Sequence, residues 1–165
     1  MDEVLLKNWN ATVQPQDTIY ILGDLLFRNA VPANEFLQQL NCKKHLLIGN
    51  HDKSWMNKAD LSRYFESVER MMEISYGSHK ITLYHYPMMT WNGVTKHGYM
   101  IHGHIHNNTE ADYFSLIRKL PNLLNAGVEI NNYKPVSFND LLKNNIKFKG
   151  SGTIHNSSSD KTNVI

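Results

Sequence analysis

Cysteine is nearly missing from this chain. Cys42 is the single one, so no disulfide framework can form within it. Such a chain suits a reducing compartment. Long hydrophobic runs are missing too, and no apolar stretch approaches the roughly 20 residues of a membrane helix. The first residues, Met1-Asp2-Glu3-Val4, are acidic and lack the basic start and apolar core of a secretory signal. An excess of either charge is also absent: 17 Lys and Arg stand against 15 Asp and Glu, a net +2. That leaves no electrostatic footprint for nucleic acid. There are no internal repeats. These absences predict a cytoplasmic protein with no membrane partner and no specific nucleic-acid partner. They leave its oligomeric state open.

What is present is ordinary globular material: 165 residues, 41% hydrophobic, enough for one domain with one main core. The unusual stretch is Tyr99-Met100-Ile101-His102-Gly103-His104-Ile105-His106. An apolar run ends and histidines follow at alternate positions around a glycine. If the backbone stays extended, His104 and His106 share a face and point into one space. Neutral imidazole is the commonest protein ligand for a transition metal.

The remaining segments suggest what completes such a site. Residues 1–11 carry Val4, Leu5 and Trp9 at helical spacing. Thr18 to Leu22 is a β-rich apolar run, and it ends in Gly23-Asp24. Pro32 opens a second amphipathic helix with Phe36, Leu37 and Leu40 on its inner face. His45 to Ile48 is another apolar run, ending in Gly49-Asn50-His51-Asp52. A looser helical pattern covers Ala59 to Phe65, and Val68 to Ser75 reads ambiguously as a strand. Lys80 to Tyr84 is a strand with His85 at its end, and Leu123 to Val128 is a further short one. Ser137 caps a last helix that buries Phe138, Leu141 and Leu142. Residues 150–165 are rich in Ser, Asn, Gly and Lys and read as a flexible tail with no part in function.

Four apolar runs thus end in residues able to bind metal: Asp24, Asn50-His51-Asp52, His85 and His104-Ile105-His106. In three of them a glycine stands just before, permitting a sharp exit and close backbone approach. Ligands in open α/β sheets bind beyond the carboxyl ends of the strands. Each residue also has a plainer reading. Asp24 reads as a turn residue or helix cap, Asn50 as a turn former, and His85 as a satisfied core histidine. Repetition of the layout is what favours a site.

Gly23-Asp24, Gly49-Asn50-His51-Asp52, His85 and Gly103-His104-Ile105-His106 resemble the ordered motifs of the calcineurin-like metallophosphoesterases, in their small bacterial and phage form. The resemblance covers roughly residues 1–142. It implies an α/β fold, a four-layer α-β-β-α sandwich of two mixed sheets, with residues 1–149 as the phosphoesterase domain. It also implies hydrolysis of phosphoric esters, monoester or diester, by a metal-bound hydroxide at a dinuclear centre.

Within that resemblance Asp24 matches the carboxylate that bridges both cations. Asn50, His85 and His104 match the remaining ligands of the second cation, and His106 matches a ligand of the first. His51 matches a group that protonates the leaving oxygen or steadies phosphoryl charge. Asp52 matches the carboxylate that orients His51. Arg28 matches a phosphate-contacting position, and reads equally as a solvated loop charge. Trp91 and Asn92 stand where they could shape the mouth of the site, although plain packing suits Trp91. His102 reads as structural or as support behind the ligands. Mixed nitrogen and oxygen donors suit Mn²⁺, Fe or Zn²⁺ better than Ca²⁺.

The pattern departs from the family in one place. The first motif, Asp-x-His at the end of an initial strand, has no match, since residues 1–11 contain Asp2 but no histidine. The first cation keeps Asp24 and His106 alone. The expectation is a truncated or misplaced start, with low activity in this chain. The alternative is a non-catalytic metal-binding or interaction domain that retains the fold.

Overall fold

The computed structural model describes residues 2–27 and 32–150. The rest of the polar tail, residues 151–165, lies outside them. Helix α1 (Asp2–Thr12) leads into strand β1 (Thr18–Ile21), helix α2 (Ala33–Leu37) and strand β2 (Lys43–Leu47). Two short helices follow, α3 (Lys53–Met56) and α4 (Leu61–Tyr64), then strands β3 (Ser67–Glu69), β4 (Met71–Tyr76) and β5 (His79–Tyr84). Strand β6 (Tyr99–His102), helix α5 (Phe114–Ile117), strand β7 (Leu123–Asn125) and helix α6 (Phe138–Lys149) complete the order. Among the described residues no helix is long and apolar enough to cross a membrane.

The strands form two sheets. The smaller has the order β1-β2-β3 and is entirely parallel. The larger has the order β4-β5-β6-β7; β4 runs antiparallel to β5, while β5, β6 and β7 are parallel. The ambiguous run from Val68 to Ser75 resolves into two strands in different sheets, with Arg70 alone between them.

Three buried clusters mark the interfaces between four layers. Successive strand residues point to opposite faces, so each strand feeds two clusters. Ile19, Ile21 and Leu46 meet Trp9, Val13, Phe36, Leu37 and Trp55 under the first helices. Leu22 and Leu47 face the other way, against Leu83, Ile101 and Leu124 between the sheets. Met100 and Leu123 on the far face pack with Ile117, Ile105 and Trp91. Strands buried on both faces read as continuous apolar runs, which is how β1 and β6 look in the sequence. In α1 it is Leu6 and Trp9 that turn inward, followed by Val13 just past its end, whereas Val4 is exposed.

Helix α6 closes the outer edge of the larger sheet. Ser137 caps it: its Oγ accepts from the Asp140 backbone N–H at 3.2 Å and donates to the Asp140 carboxylate at 2.9 Å. One turn from its end, Asn145 reaches β7 like a further strand. Its Oδ1 accepts from the Asn125 N–H at 2.7 Å, and its Nδ2 donates to the Asn125 carbonyl at 2.9 Å. Lys149 donates to the carbonyls of Leu120 and Leu123. The β7 edge is thereby satisfied without a strand beside it.

Candidate metal centre

β1 and β2 run parallel in one sheet and β5, β6 and β7 in the other, and contacts from His85 to Gly23, Leu22 and Asn50 bring their carboxyl ends to one rim. The ends of β1 and β2 touch through glycine. Gly23 has φ +86°, and a Cβ there would lie 2.5 Å from His85 Nδ1 and 2.6 Å from the Gly49 nitrogen. Only a residue without a side chain fits. The next residue, Asp24, is also left-handed, at φ 54°.

Asp52, expected beside the His51 imidazole, holds these loops instead. It is fully buried. One carboxylate oxygen accepts from the backbone N–H of Asp24 at 2.8 Å and of Gly49 at 2.7 Å. The other accepts from the Leu25 N–H at 3.0 Å and from Trp55 Nε1 at 2.9 Å. Four donors fill both oxygens, and none of them belongs to His51. A carboxylate that must lose its water is stable only when so paired, and here the pairing ties two loops into one unit.

The donor atoms converge on that unit. His85 is buried, and its Nδ1 donates to the Leu22 carbonyl at 2.7 Å. A carbonyl can only accept, so Nδ1 carries a proton and the neutral form of the ring would present its Nε2 lone pair. That Nε2 stands 2.9 Å from Asn50 Oδ1 and 3.3 Å from Asp24 Oδ2. His104 Nδ1 stands 3.0 Å from the same Asn50 oxygen. One ligand atom from each of Asp24, His85 and His104 lies within 4.8 Å of the others. Where these ring nitrogens present lone pairs toward the Asn50 and Asp24 oxygens, a cation would hold the donors together. The donor set is mixed nitrogen and oxygen, so these residues fit a first-row divalent metal. The other Asp24 oxygen accepts from the His51 N–H at 2.8 Å, which fixes the carboxylate's direction.

The rings are electrostatically ready. Burial lowers the His104 pKa, and neighbouring His85 lowers it further, so the ring is held neutral. His102 lies deeper, with its Nδ1 donating to the Gly103 carbonyl at 2.8 Å and its Nε2 without a partner among the described residues. Burial pushes its pKa down to about 4.

The histidine string is not extended. β6 ends at His102, and His104 and His106 take left-handed φ values of 65° and 51°. Face-sharing along a strand is therefore not what directs these two rings; a tight turn is. His106 lies outside the converging group. Its Nδ1 stands 2.6 Å from Glu129 Oε1, and its side chain is 67% exposed. The His51 ring packs edge-on to Phe27 at 4.7 Å. Arg28 lies outside the described residues. Trp91 is buried and donates Nε1 to the Gly98 carbonyl at 2.9 Å, so it packs; Asn92 is bonded to Glu73 at 3.0 Å.

Glu129, Asn125 and Tyr86 are missed by sequence reasoning. The Tyr86 ring lies 4.5 Å from that of His104 and 4.9 Å from that of His85. Leu123-Leu124-Asn125-Ala126-Gly127 repeats the layout of an apolar run followed by glycine. That fifth strand end was the available signal for Glu129.

The chain is similar to known proteins. The calcineurin-like phosphoesterase family matches residues 3–155. The uncharacterized protein MJ1445 of Methanocaldococcus jannaschii is 34% identical over 145 residues, covering 87% of this chain and 74% of its own. The crystal structure of AQ665, a protein of unknown function from Aquifex aeolicus, superposes with a TM-score of 0.65 at 29% identity, over 86% of this chain and 83% of that one.

Proposed function

The chain belongs to the calcineurin-like phosphoesterase family, and from that premise we propose that it hydrolyses phosphoric esters at a two-cation centre. The observation that carries the reading is the convergence of Asp24, Asn50, His85 and His104 lone pairs on one point. These four would hold one cation, and Asp24 together with His106 would hold the other. Bound divalent ions supply Lewis acidity toward water and the phosphoryl oxygens. Mn²⁺, Fe and Zn²⁺ suit the donors.

The chain's own groups do the remaining work. Burial lowers the His104 pKa, which favours the neutral ring that a metal needs. A ring nitrogen of His51 gives its proton to the leaving oxygen, and Phe27 limits the ring's rotation. Arg28 neutralises charge on the phosphoryl oxygens. Asp52 keeps the Asp24 and Asn50 loops at a fixed separation. Residues 1–149 act as the phosphoesterase domain, and 150–165 as a tail outside the chemistry.

A second reading has its own observation. The family resemblance assigns only Asp24 and His106 to the first cation, and His106 lies outside the converging group of Asp24, His85 and His104. A chain with so few ligands there would keep the fold and one metal without turnover.

One experiment decides. The 165-residue chain is loaded with Mn²⁺, its metal content is measured, and hydrolysis of bis(p-nitrophenyl) phosphate and p-nitrophenyl phosphate is followed. Bound metal that disappears in His104→Ala, with metal-dependent turnover, supports the proposal. Metal without turnover supports the second reading. Less than about a tenth of an equivalent bound, unchanged by His104→Ala, refutes both.

A further inference from the structure

We infer that Glu129 is a positioning residue that sets the tautomer and direction of His106 toward the first cation. The inference rests on the proposed role of His106 as a ligand there. Glu129 Oε1 and His106 Nδ1 stand 2.6 Å apart, the short distance of a charge-assisted bond. A carboxylate only accepts, so Nδ1 carries the proton, and in the neutral ring Nε2 is the nitrogen that keeps its lone pair. The Glu129 side chain is 19% exposed, against 67% for His106. The sheltered carboxylate is therefore the anchor and the protruding ring is the anchored group. His85 is fixed in the same way by the Leu22 carbonyl, with Nδ1 donating backwards and Nε2 facing the site. Partners behind a ligating imidazole hold the ring and raise its basicity.

The end of β7 is shaped to bring the two residues together. Asn125 Nδ2 donates to the His106 carbonyl at 2.6 Å, and Asn125 Oδ1 accepts from the Gly127 N–H at 2.8 Å. One side chain thus joins the backbone of the histidine loop to the loop that carries Glu129. Its own backbone is clamped by Asn145 of α6. A Cβ on Gly127 would lie 3.0 Å from Asn125 Oδ1, 3.3 Å from Glu129 Oε2 and 3.6 Å from His106 Cα. The missing side chain is the gap through which the segments meet. A 3₁₀ turn, Val128–Asn131, then lifts Glu129 toward His106, with Asn131 Nδ2 donating to the Gly127 carbonyl at 2.8 Å. Glu129 Oε2 is enclosed and has no hydrogen-bond partner among the described residues. A carboxylate present only for stability would not leave an oxygen enclosed and unpaired.

The test uses the 165-residue chain, Mn²⁺ titration and ¹⁵N NMR of the imidazoles, with Glu129→Ala, Glu129→Gln, His106→Ala and the double variant Glu129→Ala/His106→Ala. Wild type should bind two Mn²⁺ of unequal affinity. Glu129→Ala should weaken the looser one by roughly 10–100-fold and leave the tighter one unchanged. The double variant should be no worse than His106→Ala, because both act through one ring. Glu129→Gln, whose amide oxygen still accepts from Nδ1, should recover part of the loss. In metal-free protein the His106 signal should report protonation at Nδ1 in wild type and shift toward Nε2 in Glu129→Ala. If His106→Ala weakens the looser Mn²⁺ while Glu129→Ala does not, the inference is overturned and the ligand reading survives. If His106→Ala changes nothing, or wild type binds one Mn²⁺ only, both are overturned together. An additive double variant, or an unchanged tautomer, also overturns the inference.

Discussion

Replacing Asp52 tests the difference between holding loops and orienting a ring. Asp52→Ala would strand the N–H groups of Asp24, Gly49 and Leu25 and the Trp55 indole N–H beneath the surface. Each buried donor left unpaired costs about 1–3 kcal/mol, although neighbouring losses do not add fully as the loops relax. A loss of about 4–5 kcal/mol is therefore expected, at the upper limit of what one substitution does. A domain of this size has about 5–15 kcal/mol in all. Asp52→Asn is the sharper probe. Its amide turns one acceptor into a donor facing two backbone donors, and should cost about 2–4 kcal/mol. Urea unfolding with a chelator present, followed by tryptophan fluorescence, reads both values. At 2–4 °C per kcal/mol the alanine variant should melt about 10–15 °C lower. If Asp52→Asn unfolds within about 0.5 kcal/mol of wild type while turnover collapses, the carboxylate serves His51 after all and the clamp account is wrong.

His102 predicts an acid slope in stability. Its folded-state pKa of about 4 lies below the ordinary 6.5, so the unfolded chain binds the proton more readily. The stabilisation is complete above about pH 6.5 and is lost as pH falls toward 4, amounting to roughly 3 kcal/mol; His102→Gln should flatten the slope in metal-free urea titrations. Gly23→Ala would press a methyl against His85 and Gly49. It should lower Mn²⁺ affinity at least about 10-fold, and wild-type affinity in that variant would show that the two loops need not touch. His51→Ala should lower kcat by roughly 10²–10⁴ with metal content intact; equal loss of both would make His51 a ligand.

The strand ends were readable because strands buried on both faces announce themselves as apolar runs, and glycine marks where they stop. The layout marked the strand ends that carry Asp24, Asn50, His85 and His104, and the family resemblance picked those four out as one ligand set. What could not be read is where each side chain looks. Asp52 sits next to His51 in sequence, but the turn after β2 sends it inward to the β1 loop. His104 and His106 alternate as strand residues do, yet their left-handed backbone makes the alternation irrelevant. Glu129 lies 23 residues beyond His106, and nothing local points it there. Asn145 on α6 looks like any polar helix residue until a strand edge is placed beside it.

Arg70 is the lone residue between the end of β3 and the start of β4, and those strands belong to different sheets. Two peptide units span at most about 7 Å between Cα atoms. β3 runs parallel to β2, and Met71 pairs with Tyr84, so the crossing lies at the rim where Asn50 and His85 stand. The crossing acts as a fixed gauge between one layer, which carries Asp24 and Asn50, and the other, which carries His85 and His104. The sandwich cannot gape at this mouth without tearing β3 or β4 from its neighbour. Breathing motions must therefore run through the loops, and a substrate arrives at a slot whose width was set when the chain changed sheets.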